Sequence, residues 1–158
     1  MTVRIRPARD CDADRWFMAE LDQRLSAVIE APCHGAADVA AFQSRFTASA
    51  WEKDGGAIFI AEDTHAVPLG YINVREGRDE IADEPCAYIA LLAVTPQAEG
   101  KGVAVLLCDA AENWAAELGY SRIALDVFAS NARARSFYRR AGFECETQRL
   151  VKRIGDGA

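Results

Sequence analysis

The sequence predicts an α+β fold: a mixed sheet of six to seven strands with about four helices packed on it. Three observations predict it. The hydrophobic pattern changes between strand and helix period in the order β-α-α-β-β-β-α-β-α-β. Cys86–Val94 is a nearly unbroken apolar run, as a strand buried on both faces requires. That run leads through Thr95-Pro96-Gln97-Ala98-Glu99-Gly100-Lys101-Gly102 into an amphipathic helix. The 158 residues fit one domain, residues 1–158, with one sizeable core.

Thr2–Pro7 alternates Val3 and Ile5 with Arg4 and Arg6 and reads as a strand. Asp10 is an expected N-cap for a helix to about Leu25, with Trp16, Phe17 and Leu21 on its apolar stripe. Ala31-Pro32-Cys33-His34-Gly35 breaks the helix, and a second one is expected over Ala37–Trp51. Ala57–Ala61 and Leu69–Val74 form a hairpin. The acidic stretch Glu76–Glu84 reads as a solvated turn. After the glycine turn, Leu107, Ala111, Trp114 and Leu118 recur at helical spacing, and Gly119 supplies a left-handed end. Arg122–Phe128 is the next strand, and a helix follows from Asn131 to just before Gly142. Phe143–Cys145 and Arg149–Ile154 are expected to close the sheet.

Composition excludes several function classes. No apolar run approaches the ~20 residues that cross a bilayer, and the charged start lacks a signal-peptide core. A cytoplasmic protein without membrane contact is the expectation. The net charge of −6 argues against nucleic acid, which needs a basic face. Cys11, Cys33, Cys86, Cys108 and Cys145 are scattered and odd in number, which fits neither a disulfide framework nor a zinc site. No His/Cys/Asp cluster has metal-ligand spacing, so no metal is expected.

The turn Glu99–Ala104 carries the chemistry. Gly100 and Gly102 let backbone approach a ligand, and bare amides at the helix start suit an anion, most plausibly phosphate. The spacing is not that of a Walker loop. Nor is it a dinucleotide fingerprint, since the third glycine is missing. About 27 residues on comes Asn131-Ala-Arg-Ala134-Arg-Ser-Phe-Tyr138-Arg-Arg-Ala-Gly142-Phe143. Together with Leu91-Leu92-Ala93-Val94-Thr95-Pro96 and the glycine turn, this resembles the GCN5-related N-acetyltransferase (GNAT) family, over nearly the whole chain.

The resemblance implies α/β/α layers and a mostly antiparallel sheet whose parallel fourth and fifth strands splay apart. It implies acetyl-coenzyme A in that wedge. Amides of Glu99, Gly100, Lys101, Gly102, Val103 and Ala104 would meet the pyrophosphate. The backbone of Leu92, Ala93 and Val94 would take the pantetheine arm. Asn131 would cap its helix, border that arm, or do both. Arg133 and Arg135 are candidates for the ribose 3′-phosphate, whereas Arg139 and Arg140 suit a helix C-terminus. The family usually has Arg or Gln where this chain has Glu99. A side chain turned away, with Lys101 as compensating cation, would remove the repulsion.

Tyr138 is the candidate general acid for the departing thiolate. The attacking amine must also lose a proton, and many family members place a Glu on the fourth strand for this. The aligned residue here is Tyr88, which is no ordinary base. Asp126, Glu84 and His34 are the substitutes. Trp16, Trp51 and Phe46 could line an acceptor pocket, although helix aromatics are more often core. The function implied is acetyl transfer to a small-molecule or peptide amine. The alternative is an acyl-coenzyme A-binding or sensing module without turnover, and homodimers are common among proteins of this look.

Overall fold

The computed structural model describes residues 2–155, so Met1 and residues 156–158 of the expected domain lie outside the described residues. Ten elements follow in order: β1 (Arg4–Pro7), α1 (Asp12–Ala27), α2 (Ala36–Ser49), β2 (Ala57–Glu62), β3 (Pro68–Asp79), β4 (Glu84–Val94), a 3-10 turn (Pro96–Ala98), α3 (Val103–Glu117), β5 (Ile123–Leu125) and α4 (Ala132–Arg140). The strands lie in sequence order in one five-stranded sheet. Three antiparallel pairings are followed by a parallel one between β4 and β5.

The sheet separates two cores. On one face Ile72, Val74, Ala87 and Ile89 pack with Leu107 and Ala111 of α3. On the other, Tyr71, Leu91 and Ala93 pack with Phe17, Met18 and Leu21 of α1. Ile89 and Leu91 would share a face in a regular strand. They face opposite cores because β4 carries a bulge: Leu91 pairs with Asn73 and Ile89 with Val74, leaving Ala90 as the extra residue. The apolar run of β4 thus serves both cores.

Several expectations are corrected. α1 begins at Asp12 with Cys11 at the N-cap position and no side-chain cap. Asp10 instead pairs with Arg15 at 2.5 Å. Asp14, in the first turn, takes the Arg9 amide at 2.7 Å and both terminal nitrogens of Arg6. Trp16 points outward, 67% exposed. Much of the acidic stretch is strand, since β3 and β4 pair out to Asp79 and Glu84. Arg122 offsets that end of the hairpin by bridging Asp79 and Glu84.

The sheet has five strands, not six or seven. Phe143 packs on the α3 core, but the residues from Glu144 to Ile154 form no strand. Leu150 and Ile154 stand 90% and 93% exposed. A strand is stabilised by the ladder it joins, and β5 pairs over only three residues before its chain turns off. So short an edge does not offset the entropy of ordering a further strand.

Candidate functional site: a wedge between two parallel strands

β4 and β5 pair at Ala87–Ile123, Tyr88–Ala124 and Ile89–Leu125, and nowhere further. From the bulge at Ala90 to Val94 the outer edge of β4 has no strand partner among the described residues. Backbone groups on such an edge need a partner from solvent or ligand. Leu92 and Val94 send side chains into the α3 core and Ala93 into the α1 core, so this edge presents backbone.

The turn after β4 opens onto the same wedge. Gly100 and Gly102 both adopt left-handed φ, +72° and +79°, and a Cβ at either would meet nothing within 4 Å. Glycine is needed here for its dihedral freedom, not for space. The Glu99 and Lys101 amides already donate to the Pro96 and Ala98 carbonyls. Those of Gly100, Gly102, Val103 and Ala104 make no backbone hydrogen bond among the described residues. Four bare donors at the N-terminus of the fifteen-residue α3 make a site for an anion.

Helix α4 packs its Phe137 on the α3 core and reaches the same turn through Arg133. Its N-cap is Asn131, whose Oδ1 accepts from the Ala134 amide at 3.1 Å. Tyr138, about two turns beyond Asn131, sits edge-on between Phe137 and Phe143 at ring distances of 5.3 and 5.6 Å. Burial first, and then the nearby Cys108 of α3, push its phenol above the ordinary tyrosine value. It therefore stays protonated at neutral pH, as a proton donor must.

On the α2 side of the sheet, Tyr88 donates to Asp126 Oδ2 at 2.6 Å. Burial and this bond push the Tyr88 phenol up as well. The carboxylate stands just past the point where the strands part. Glu84 does not reach this place: it lies at the other end of β4, held by Arg122 at 2.5 Å. His34 is exposed in the loop between α1 and α2. Phe46 lies on this side, 5.0 Å from Phe42, which meets Phe128 edge-on at 5.9 Å. Trp51 is occupied by Arg15, stacked 4.8 Å above its ring.

Residues 28–143 match the model of the Acetyltransferase (GNAT) family. The chain belongs to the GNAT family. It is 31% identical over 86 residues to aminoglycoside N(6′)-acetyltransferase type 1 of Klebsiella aerogenes. That match spans 54% of this chain and only a little over half, 57%, of the relative. In fold it is similar to a GCN5-related N-acetyltransferase from Ralstonia eutropha JMP134, with a TM-score of 0.74 at 20% identity over 98% of this chain and all of the other. It is also similar to AAC(6′)-Iy in complex with the bisubstrate analogue CoA-S-monomethyl-acetylneamine, with a TM-score of 0.65 at 20% identity over 98% and 99%. A ribosomal-protein-alanine N-acetyltransferase from Brucella melitensis biovar Abortus 2308 gives 0.69 at 16% identity over 98% and 100%.

Within this GNAT fold the departure at Glu99 has a structural answer. The side chain does not point freely into solvent. Its carboxylate pairs with Arg24 in the last turn of α1 and with Arg133 Nη1 at 2.7 Å. Two guanidiniums therefore flank the anion-binding turn, and one of them comes from a helix that sequence reading did not connect with it. Arg24 was hidden because a basic residue in a last helical turn is already explained by the helix dipole. Lys101 is exposed and forms no ion pair among the described residues. Arg135 donates to the Ala129 carbonyl at 3.1 Å, supporting the loop before α4. Among the described residues no group of three or more His, Cys, Asp or Glu could hold a metal ion.

Proposed function

We propose that this GNAT protein transfers the acetyl group of acetyl-coenzyme A to a primary amine by direct attack in a ternary complex. The observation that carries the reading is the unpaired edge Ala90–Val94 of β4 ending at four bare amides. An extended, amide-rich pantetheine arm complements that edge, and its diphosphate complements the turn. Asn131, Arg133 and Arg135 stand at the start of α4, and Arg133 reaches back to Glu99 in that turn.

Each residue then has a defined task. Backbone N–H groups beside the Ala90 bulge polarise the thioester carbonyl where negative charge develops. Asp126, oriented by Tyr88, holds the incoming ammonium and accepts its proton. Tyr138 donates to the departing sulfur, whose thiol pKa of about 8.5 makes it a fair leaving group. The acceptor enters from the α2 face, opposite α3.

The test is release of free thiol from acetyl-coenzyme A with a panel of amines, beside calorimetry with coenzyme A. Binding with amine-dependent release is expected. Tight binding with no release for any amine would favour a sensing module, and absence of binding would overturn both readings.

A further inference from the structure

Arg75 is a half-buried cation with no carboxylate partner. Its Nε and Nη2 donate to Asn73 Oδ1 at 3.2 and 2.5 Å, and Nη1 donates to Ser49 Oγ at 3.1 Å. Its guanidinium lies 5.6 Å from the Phe46 ring centre. No ion pair reaches it among the described residues. Glu52 and Tyr88 act on it only at longer range, and burial pushes its pKa down. A guanidinium has five N–H donors, and three are used, so one remains on each terminal nitrogen. That pair suits a carboxylate taken by two parallel hydrogen bonds.

Its position says what such a carboxylate belongs to. Arg75 is the register partner of Tyr88 across β3 and β4, and Tyr88 is bonded to Asp126 beyond β5. Cation, phenol and carboxylate thus follow one another in a row from β3 across β4 to the residue after β5, with Phe46 beside the cation. A row with a cation at one end and an anion at the other complements a zwitterion lying across it.

We propose that the acceptor is an amino acid-like zwitterion whose carboxylate docks on Arg75 while its amine faces Asp126. This rests on the acetyltransferase reading and narrows its acceptor. It separates this chain from a site for polycationic aminoglycosides, which an arginine with no bonded carboxylate disfavours. It also gives Arg75 a role in acceptor specificity.

The experiment compares matched acceptors with the full chain and acetyl-coenzyme A. α-Amino acids are set against their carboxamides, ω-amino acids against the corresponding alkylamines, and both against a polycationic aminoglycoside. At least one carboxylate-bearing acceptor is expected to exceed its uncharged counterpart tenfold or more in kcat/KM. Arg75→Gln should raise the KM of that acceptor at least tenfold, with Arg75→Lys recovering part of it. The coenzyme A Kd by calorimetry should stay within twofold. The wild-type comparison decides alone if either variant misfolds. Equal use of the uncharged partners, or turnover confined to the aminoglycoside, with coenzyme A bound normally, would overturn the zwitterion and leave acetyl transfer standing. No coenzyme A binding, or no thiol release with any acceptor, would remove the acetyltransferase reading and this inference with it.

Discussion

The carboxylate of Glu99 accepts from Arg133 Nη1 at 2.7 Å, and this bond ties the first turn of α4 to the loop that precedes α3. The same carboxylate holds Arg24 at the end of α1. An acid in the turn before α3 is thus paired with two cations from two other helices.

Replacing Glu99 by Gln removes one negative charge and frees both guanidiniums. Coenzyme A should then bind about fivefold more tightly at low ionic strength, on the order of 1 kcal/mol for part-exposed ion pairs. The gain should fade in ~1 M salt, where the Debye length is about 3 Å. Calorimetry at both ionic strengths checks this. Weaker binding at low salt would mean that Glu99 acts chiefly by positioning Arg24 and Arg133.

Tyr138→Phe deletes the proposed proton donor and leaves the ring contacts with Phe137 and Phe143 in place. kcat should fall at least tenfold, about 1.4 kcal/mol, while the melting temperature and coenzyme A affinity barely change. An unchanged kcat would take Tyr138 out of the mechanism.

The pH profile follows from the two tyrosines. Burial disfavours the phenolate, so Tyr88 and Tyr138 both titrate above their ordinary value. Activity should rise with pH as the amine deprotonates, with no fall from phenol ionisation below about pH 10. Initial rates against pH, with an acceptor of known pKa, test this. A descending limb near pH 8–9 in kcat that Tyr138→Phe abolishes would contradict the assignment.

Acid stability depends on a cluster remote from the wedge. Glu62, 1% exposed, accepts from Arg4 and from Arg6 Nε at 2.8 Å, and Arg6 also grips Asp14. The arginines hold both carboxyls below their ordinary range. A lowered folded-state pKa contributes stability above the unfolded value, near 4, and loses it as pH falls through the folded one. Arg6→Ala strands Glu62 with only Arg4 and should cost about 3 kcal/mol at neutral pH. Its stability deficit should shrink below pH 4, and urea melts from pH 3 to 7 would show whether it does.

Much of the site was legible in the chain because it is written locally. The left-handed Gly100 and Gly102 and the Asn131 cap lie within two short motifs, and the role proposed for Tyr138 comes from the family resemblance those motifs carry. Other features depend on distant segments meeting. Arg24 and Glu99 are far apart in sequence, and nothing local distinguishes Arg24 from an ordinary dipole-satisfying residue. Tyr88 reads alone as a poor substitute for a strand acid, and gains meaning only when β5 brings Asp126 within 2.6 Å. Arg75 reads as one more strand arginine until the absence of a partner is seen. Asp10 and Trp16 were misplaced for the converse reason, since propensity and pattern gave way to the Arg6–Asp14 pairing and to solvent.

Period, capping and glycine punctuation, acting over a few residues, set the element order as far as α4 and the left-handed turn before α3, and two motifs carried the family resemblance. Tertiary structure decided the β4 bulge that turns Ile89 and Leu91 to opposite cores, the two cations around Glu99 and the row from Arg75 to Asp126. The physical reason is range: backbone preferences act between neighbours, whereas charges and strand edges are satisfied by whatever the folded chain brings beside them.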